Sequence, residues 1–302
     1  YGRFENPDRL MWGIFDGGDN LCALETELDF KFELVLKYFH LNEPFPHEYM
    51  RRCHSEGRLV QLTFQLTLNN NEDLYAKSPL LDSVRGGFRE EITAIARAAK
   101  EFGHPFLFRL NNEMNSDWTS YGGVNNLLDP ALFVQNWRMI YNIFKDEGVD
   151  NAIWIFNPND RDCPPNGWNS YLAYYPGNEY VHMFGLTGYN NGTYYADVFG
   201  EKWREFNSIY DEAVNHYGGL FDAFPWIITE FASSSHGGDK TRWIERMFDA
   251  LDAKKYPRLA AAVWFNYADH DFRPDLKGVE SRPYWLDETA ETLDAFKKGL
   301  HR

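Results

Sequence analysis

The sequence predicts an α/β fold, a single (β/α)8 barrel of the TIM type taking up residues 1–302. Three observations carry this. Short apolar runs bounded by Gly, Pro, Asp or Asn alternate with amphipathic helical stretches along the whole chain, and such alternation gives parallel strands joined by helices. The alternation counts out to eight strand-then-helix units, which suits a closed ring better than a doubly wound sheet. The length of 302 residues accommodates one barrel of about 250 residues with extended loops, and neither a Ser/Gly linker nor a change of composition divides it.

The first unit is the run Met11 to Phe15, stopped by Asp16-Gly17-Gly18-Asp19, with Asp19 or Asn20 as the cap of a helix to about Phe30. Phe32 to Leu41 reads as the second strand, and Pro46 to Glu56, closed by Gly57, as its helix. Leu59 to Leu68 is the third strand. A polar loop at Asn69 to Asp73 follows, then a helix from Phe88 to Phe102 with Ile92, Ile95, Ala96 and Ala99 on one face. Pro105 to Leu110 is the fourth strand. Asp129-Pro130 opens the next helix as cap and first-turn proline, with Leu132, Phe133, Trp137, Ile140, Tyr141 and Phe144 as its buried stripe. Ala152 to Phe156 is the fifth strand. A Pro/Asn-rich loop from Asn157 to Asn169 and a short helix near Tyr171 lead to the sixth, Val181 to Leu186, which is followed by a helix from Trp203 to Tyr217. Strand Trp226 to Thr229 with helix Arg242 to Ala253, and strand Ala260 to Phe265 with helix Asp287 to Leu300, complete the ring.

Composition removes several classes of function. A net charge of −15 speaks against a phosphate-binding surface, so no nucleic acid is expected as partner. No apolar stretch approaches the roughly 20 residues of a membrane helix, so no membrane is expected either. Cys22, Cys53 and Cys163 form no C-x-x-C pair and allow at most one disulfide. The glycine-rich pieces have neither a dinucleotide nor a P-loop spacing, so no cofactor is expected. The aromatic content of 17%, with 10 Trp and 18 Tyr, exceeds the usual demand of a core and suits the C–H faces of sugars. The Asp/Asn clusters at Asp16 to Asn20, Asn69 to Asp73 and Asp269 to Asp275 lack the EF-hand pattern and read as solvated turns, so no metal is expected.

The chemistry concentrates in two places. Phe108 to Trp118 begins as a strand and ends in polar residues, delivering Arg109, Asn112 and Glu113 to a rim. Pro225 to Phe231 is a second apolar run that finishes on a carboxylate, Glu230. A single such glutamate is ordinarily a solvated charge. Two of them ending the fourth and seventh strands are the minimum equipment for acid/base and nucleophilic work on a glycosidic bond. His40, at the end of the second strand, and Asn157, after the fifth, join the candidate substrate-binding residues, whereas His104 falls at a strand start and reads as structural. No Ser-His-Asp or Cys-His ordering competes.

These pieces resemble a known family. Arg109-Leu-Asn-Asn-Glu-Met-Asn with Trp118, Tyr175-Pro-Gly-Asn-Glu-Tyr-Val181 leading to Gly188-Tyr-Asn190, Thr229-Glu-Phe, and Trp264 together resemble glycoside hydrolase family 26, a member of the clan of retaining (β/α)8 glycosidases. The resemblance implies Glu113 as acid/base, Glu230 as nucleophile, Tyr189 as hydrogen-bond partner of the nucleophile, Arg109 as a charge beneath the site, and Trp118 and Trp264 as sugar platforms. The chain departs from the mannan-cleaving members, which carry His before the acid where this chain has Asn112, and a Trp-His pair where it has Phe64-Gln65. In the wider clan an Asn in that place meets the 2-hydroxyl of the sugar being cleaved. The resemblance therefore implies a β-glucan, mixed-linkage substrate in preference to mannan or β-1,3-xylan.

The mechanism so implied needs one protonated and one ionised carboxyl about 5 to 5.5 Å apart. Glu113 is expected as the raised group in an aromatic setting, and Glu230 as the lowered one beside Arg109 and Tyr189. The expectation is thus a secreted, monomeric endo-β-glycanase acting on a polysaccharide or oligosaccharide, with its signal peptide not part of the sequence. A catalytically silent sugar-binding barrel is the alternative of another class.

Overall fold

In the computed structural model, residues 9–67 and 78–302 are described. Eight parallel strands close a ring: β1 (Met11–Asp16), β2 (Leu34–His40), β3 (Leu59–Gln65), β4 (Phe106–Leu110), β5 (Ala152–Phe156), β6 (Met183–Thr187), β7 (Trp226–Phe231) and β8 (Leu259–Asn266), with β8 pairing back onto β1. The helices between and after them are α1 (Leu21–Leu28), α2 (His47–Ser55), α3 (Pro79–Val84), α4 (Arg89–Phe102), α5 (Pro130–Asp146), α6 (Ala196–Phe199), α7 (Phe206–Ala223), α8 (Lys240–Asp252) and α9 (Ala290–Leu300). An antiparallel hairpin, β9 (Ala268–His270) with β10 (Glu280–Pro283), is inserted between β8 and α9.

The eight expected units are present, with ends displaced by a few residues. Among the described residues, α3, α6 and the two hairpin strands escape the sequence reading, because three to six residues are too few to show a hydrophobic period. Asn20 precedes α1 but makes no side-chain cap; Asp16 holds the turn before it, its Oδ2 accepting from Asn20 N at 2.6 Å. The polar loop expected at 69–73 and the last residue of the expected third strand, Leu68, lie outside the described residues.

Alternation along the strands divides the apolar residues into two cores. A narrow one fills the barrel with Leu34, Leu36, Leu107, Ile155, Ile227 and Val263. Gly185 is required there, because a Cβ on it would come within 2.7 Å of both Ile155 and Thr229. The wider core lies between strands and helices and is rich in aromatic rings: Trp137, Trp226, Trp243 and Trp264 are among the largest fully buried side chains. Much of the aromatic content therefore serves packing, which corrects the reading of it as surplus for sugars. Trp264 is a specific correction. It is 0% exposed, packs on Phe231, Trp243 and Phe296, and donates its indole N–H to Tyr284 O at 2.9 Å. Strand β8 is apolar on both faces, so its sequence did not reveal which residues point outward to the helices.

Candidate active site

Both glutamates lie at the C-terminal mouth of the barrel, and the backbone delivers each by a distortion. After β4 the chain enters the left-handed region at Asn111 (φ 50) and again at Glu113 (φ 57). Asparagine tolerates this well and glutamate poorly. The turn is held by Asn111 Oδ1, which accepts from Leu66 N at 2.7 Å, and by Glu113 N, which donates to Asn157 O at 2.8 Å. In β7 the pairing register shifts on both sides between Ile228 and Phe231. The bulge turns Thr229 and Glu230 together away from the helix layer, while Ile228 and Phe231 remain in the outer core.

Glu230 is 3% exposed and forms an ion pair through Oε1 with Arg109 Nη1, while Oε2 accepts from Tyr189 Oη at 2.9 Å. Arg109 is 0% exposed. Its Nε donates to Thr63 Oγ1 at 2.7 Å, its Nη1 to Asn157 Oδ1 at 2.8 Å, and its guanidinium lies 5.3 Å from the Tyr38 ring. Burial alone would pull the Arg109 pKa down, but the charge of Glu230 and the Tyr38 hydroxyl outweigh it and the net shift is upward. Tyr38 and Tyr189 are both pushed well above the usual phenol value, first by burial and then by the charge of Glu230, so both remain O–H donors.

Glu113 is half-buried, with its carboxylate gripped by amides. Asn159 Nδ2 donates to Oε1 at 2.6 Å, Asn112 Nδ2 donates to Oε2 at 3.2 Å, and the Trp118 indole contributes a further hydrogen bond. Desolvation, followed by the charge of Glu230, raises its pKa to about 7 against the opposing pull of Asn159, Arg109 and Trp118. The Asn112 amide has a fixed sense: its Oδ1 accepts from Gln65 Nε2 and from Tyr121 Oη, each at 3.0 Å, so its N–H side faces Glu113. Asn115 ties the loops after β4 and β5 together, accepting from Asn159 N at 2.8 Å and donating to Asn159 O at 3.1 Å.

The sequence candidates therefore divide. Glu113, Glu230, Asn112, Gln65, Tyr189 and Trp118 gather at the mouth, with Trp118 the most open at 43% exposure. His40 ends β2 half-buried on the inward-facing register of Leu36 and Tyr38. Asn157 is corrected as a substrate contact along with Trp264: it is 0% exposed and spends its Oδ1 on Arg109 and its Nδ2 on Pro158 O and Thr187 Oγ1. Arg109, also 0% exposed, does not reach the rim or a substrate but lies paired with Glu230, the charge beneath the site that the resemblance implies. The sequence reading missed Asn159, Tyr38, Tyr121 and Thr63. Tyr38 and Thr63 were findable, because each lies two residues before a candidate on the same strand face. Asn159 was hidden among the polar residues of a long loop.

Residues 80–227 match the family described as glycosyl hydrolase family 26. The chain is 29% identical over 269 residues to endoglucanase H of Acetivibrio thermocellus, an alignment covering 88% of this chain and 28% of that protein. It is 34% identical over 99 residues to a mannan endo-1,4-beta-mannosidase of Bacillus subtilis, covering 30% of this chain and 25% of the relative. The matched stretches thus cover about a quarter of the length of these curated relatives, 28% and 25%. Its fold is similar to that of the catalytic domain of a Bacillus sp. JAMB-750 endo-beta-1,4-mannanase, with a TM-score of 0.71, 18% identity, and coverage of 98% of this chain and 86% of that one. A beta-mannanase from Bacteroides ovatus gives a TM-score of 0.68 at 14% identity, with 96% and 88% covered.

Proposed function

The chain belongs to glycosyl hydrolase family 26, and from that premise we propose that it is a retaining endo-β-glycanase in which Glu113 is the acid/base and Glu230 the nucleophile. The observation that carries this is the contrast in carboxyl environments. Glu230 is buried against Arg109, while Glu113 is raised to about 7 with the charge of Glu230 among the causes. In the first step Glu113 gives its proton to the glycosidic oxygen as the Glu230 carboxylate attacks the anomeric carbon; the bond to the leaving sugar breaks and an ester to Glu230 forms. In the second step the Glu113 carboxylate takes a proton from water, whose oxygen displaces Glu230.

The preferred substrate is a β-glucan, mixed-linkage glucan in particular. Two observations support it: the Asn112 amide presents N–H beside the acid, and the relative that aligns over 88% of this chain is named an endoglucanase. A β-mannan is the second reading, favoured by the relative of 34% identity named for mannan. Reducing-sugar release from mixed-linkage glucan, glucomannan and galactomannan discriminates them, and cleavage of galactomannan alone would reject the glucan assignment. Proton NMR of the first products must show retained β-anomers; inverted products would reject the ester mechanism.

A further inference from the structure

The mechanism leaves unused the Asp16-Gly17-Gly18-Asp19 turn, the inserted hairpin and the buried Lys240, and these three meet. A chain of rings runs outward from the nucleophile. Tyr189, which donates to Glu230, lies 5.8 Å from Phe265; Phe265 lies 6.5 Å from Tyr267, and Tyr267 lies 5.5 Å from Trp285. Phe265, Tyr267 and Trp285 are all partly open to solvent, Tyr267 by 37%.

The outer pair is held in place. Tyr267 O accepts from Tyr284 N at 3.0 Å, and Lys240, 4% exposed, donates from Nζ to Trp285 O at 2.6 Å and to Pro283 O at 3.2 Å. Beneath them the glycines permit close approach: a Cβ on Gly17 would fall 2.2 Å from the Tyr267 ring, and one on Gly18 would fall 3.4 Å from Trp285. The two rings make a corner of 69° edged by the exposed polar residues His270 and Glu280, with the Trp285 indole donating to Glu280 Oε1 at 3.2 Å. Fixed rings beside hydrogen-bonding side chains suit a pyranose, whose C–H face stacks while its hydroxyls meet the rim.

The side of the cleft follows from the chemistry. The acid Glu113 must face the leaving oxygen, so the departing part of the chain lies toward β4 and Trp118. Strand β8, which carries the ring pair, is diametrically across the eight-stranded ring from β4. We propose that Tyr267 and Trp285 form a sugar-binding platform for the non-departing part of a β-linked glycan, beyond the sugar undergoing cleavage. This rests on the glycanase reading and adds to it a second, distal binding site.

Aryl β-glycosides with one, two and three sugars before a nitrophenyl leaving group fill the non-departing side alone. In the wild-type protein, kcat/KM should rise with each added sugar. Tyr267→Ala and Trp285→Ala should each reduce the ratio of the three-sugar to the one-sugar value by roughly tenfold. If an alanine variant loses its folded circular dichroism signal, Trp285→Leu carries the test, since it keeps bulk and removes the flat ring; it must lose the same ratio. A ratio unchanged in the folded variants overturns the platform alone. A wild-type protein that cleaves none of the series overturns the glycanase reading and the platform with it.

Discussion

The ends of β4 and β7 present the same side chain in opposite ways. Glu230 is almost closed to solvent, locked between a guanidinium and a phenol, and projects from a bulge in a fully buried strand. Glu113 is half-open, held by neutral amides and an indole, on a left-handed turn beyond the strand. Desolvation, and then the neighbouring charge of Glu230, lets Glu113 keep its proton to higher pH against the pull of its amide and indole donors, while Glu230 sits against the Arg109 guanidinium. In the proposed mechanism the supporting residues, not the glutamates, thus set the chemical role.

Substitutions at the two ends test that contrast, and the largest effect belongs to β7. Glu230→Ala should lower kcat on the polysaccharide by roughly 10⁴-fold or more; a rate near wild type would remove Glu230 from the mechanism. Glu113→Ala should cost roughly 10²- to 10⁴-fold on the polysaccharide and far less on aryl glycosides whose leaving group needs no proton. Equal losses on both substrates would contradict its role as acid. Arg109→Met leaves the Glu230 charge buried without its partner and should cost about 3–5 kcal/mol in denaturant unfolding, whereas losing a solvent-screened surface pair such as Arg97 with Glu147 should leave the unfolding midpoint nearly unchanged.

Dependence on pH should divide the two ends further. The proposed first step needs the acid form of Glu113, so kcat/KM should fall on the alkaline side with an apparent pKa of about 7. Because the folded state holds that proton more tightly than the unfolded chain, Glu113 lends stability at low pH that is lost as pH rises from about 4.5 to about 7. Glu113→Gln should flatten the melting temperature across that window, and an unchanged slope would dispute the raised value. The smallest effect is expected from Asn159→Ala. Removing a donor that favours the ionised form should move the alkaline limb of the rate profile to higher pH with a modest change in kcat; movement to lower pH would reverse the assigned role of that amide.

Much of the barrel was legible because strand and helix periods alternate cleanly, and Ala152–Phe156 coincides with its predicted bounds. The two glutamates were legible because each ends an apolar run. What sequence did not disclose is phase. Trp264 and Phe265 are adjacent aromatic residues on a strand that is apolar on both sides, yet the first turns to the helices and the second toward Tyr189. Arg109 and Asn157 read as rim residues because they are polar, whereas tertiary contacts bury them as the frame on which the carboxylates rest.

In an undistorted strand, neighbours face opposite sides, so no two consecutive residues can both enter a barrel. The additional residue at Thr229 and Glu230 lifts that restriction: the threonine plugs the top of the packed interior while the glutamate sits above the plug, against Arg109 and Tyr189. Were the bulge ironed out with both residues kept, strict alternation would carry the carboxylate outward among the helices and turn Phe231 into the opening. Hydrolysis would then vanish by loss of phase alone, with every reactive group still in the chain.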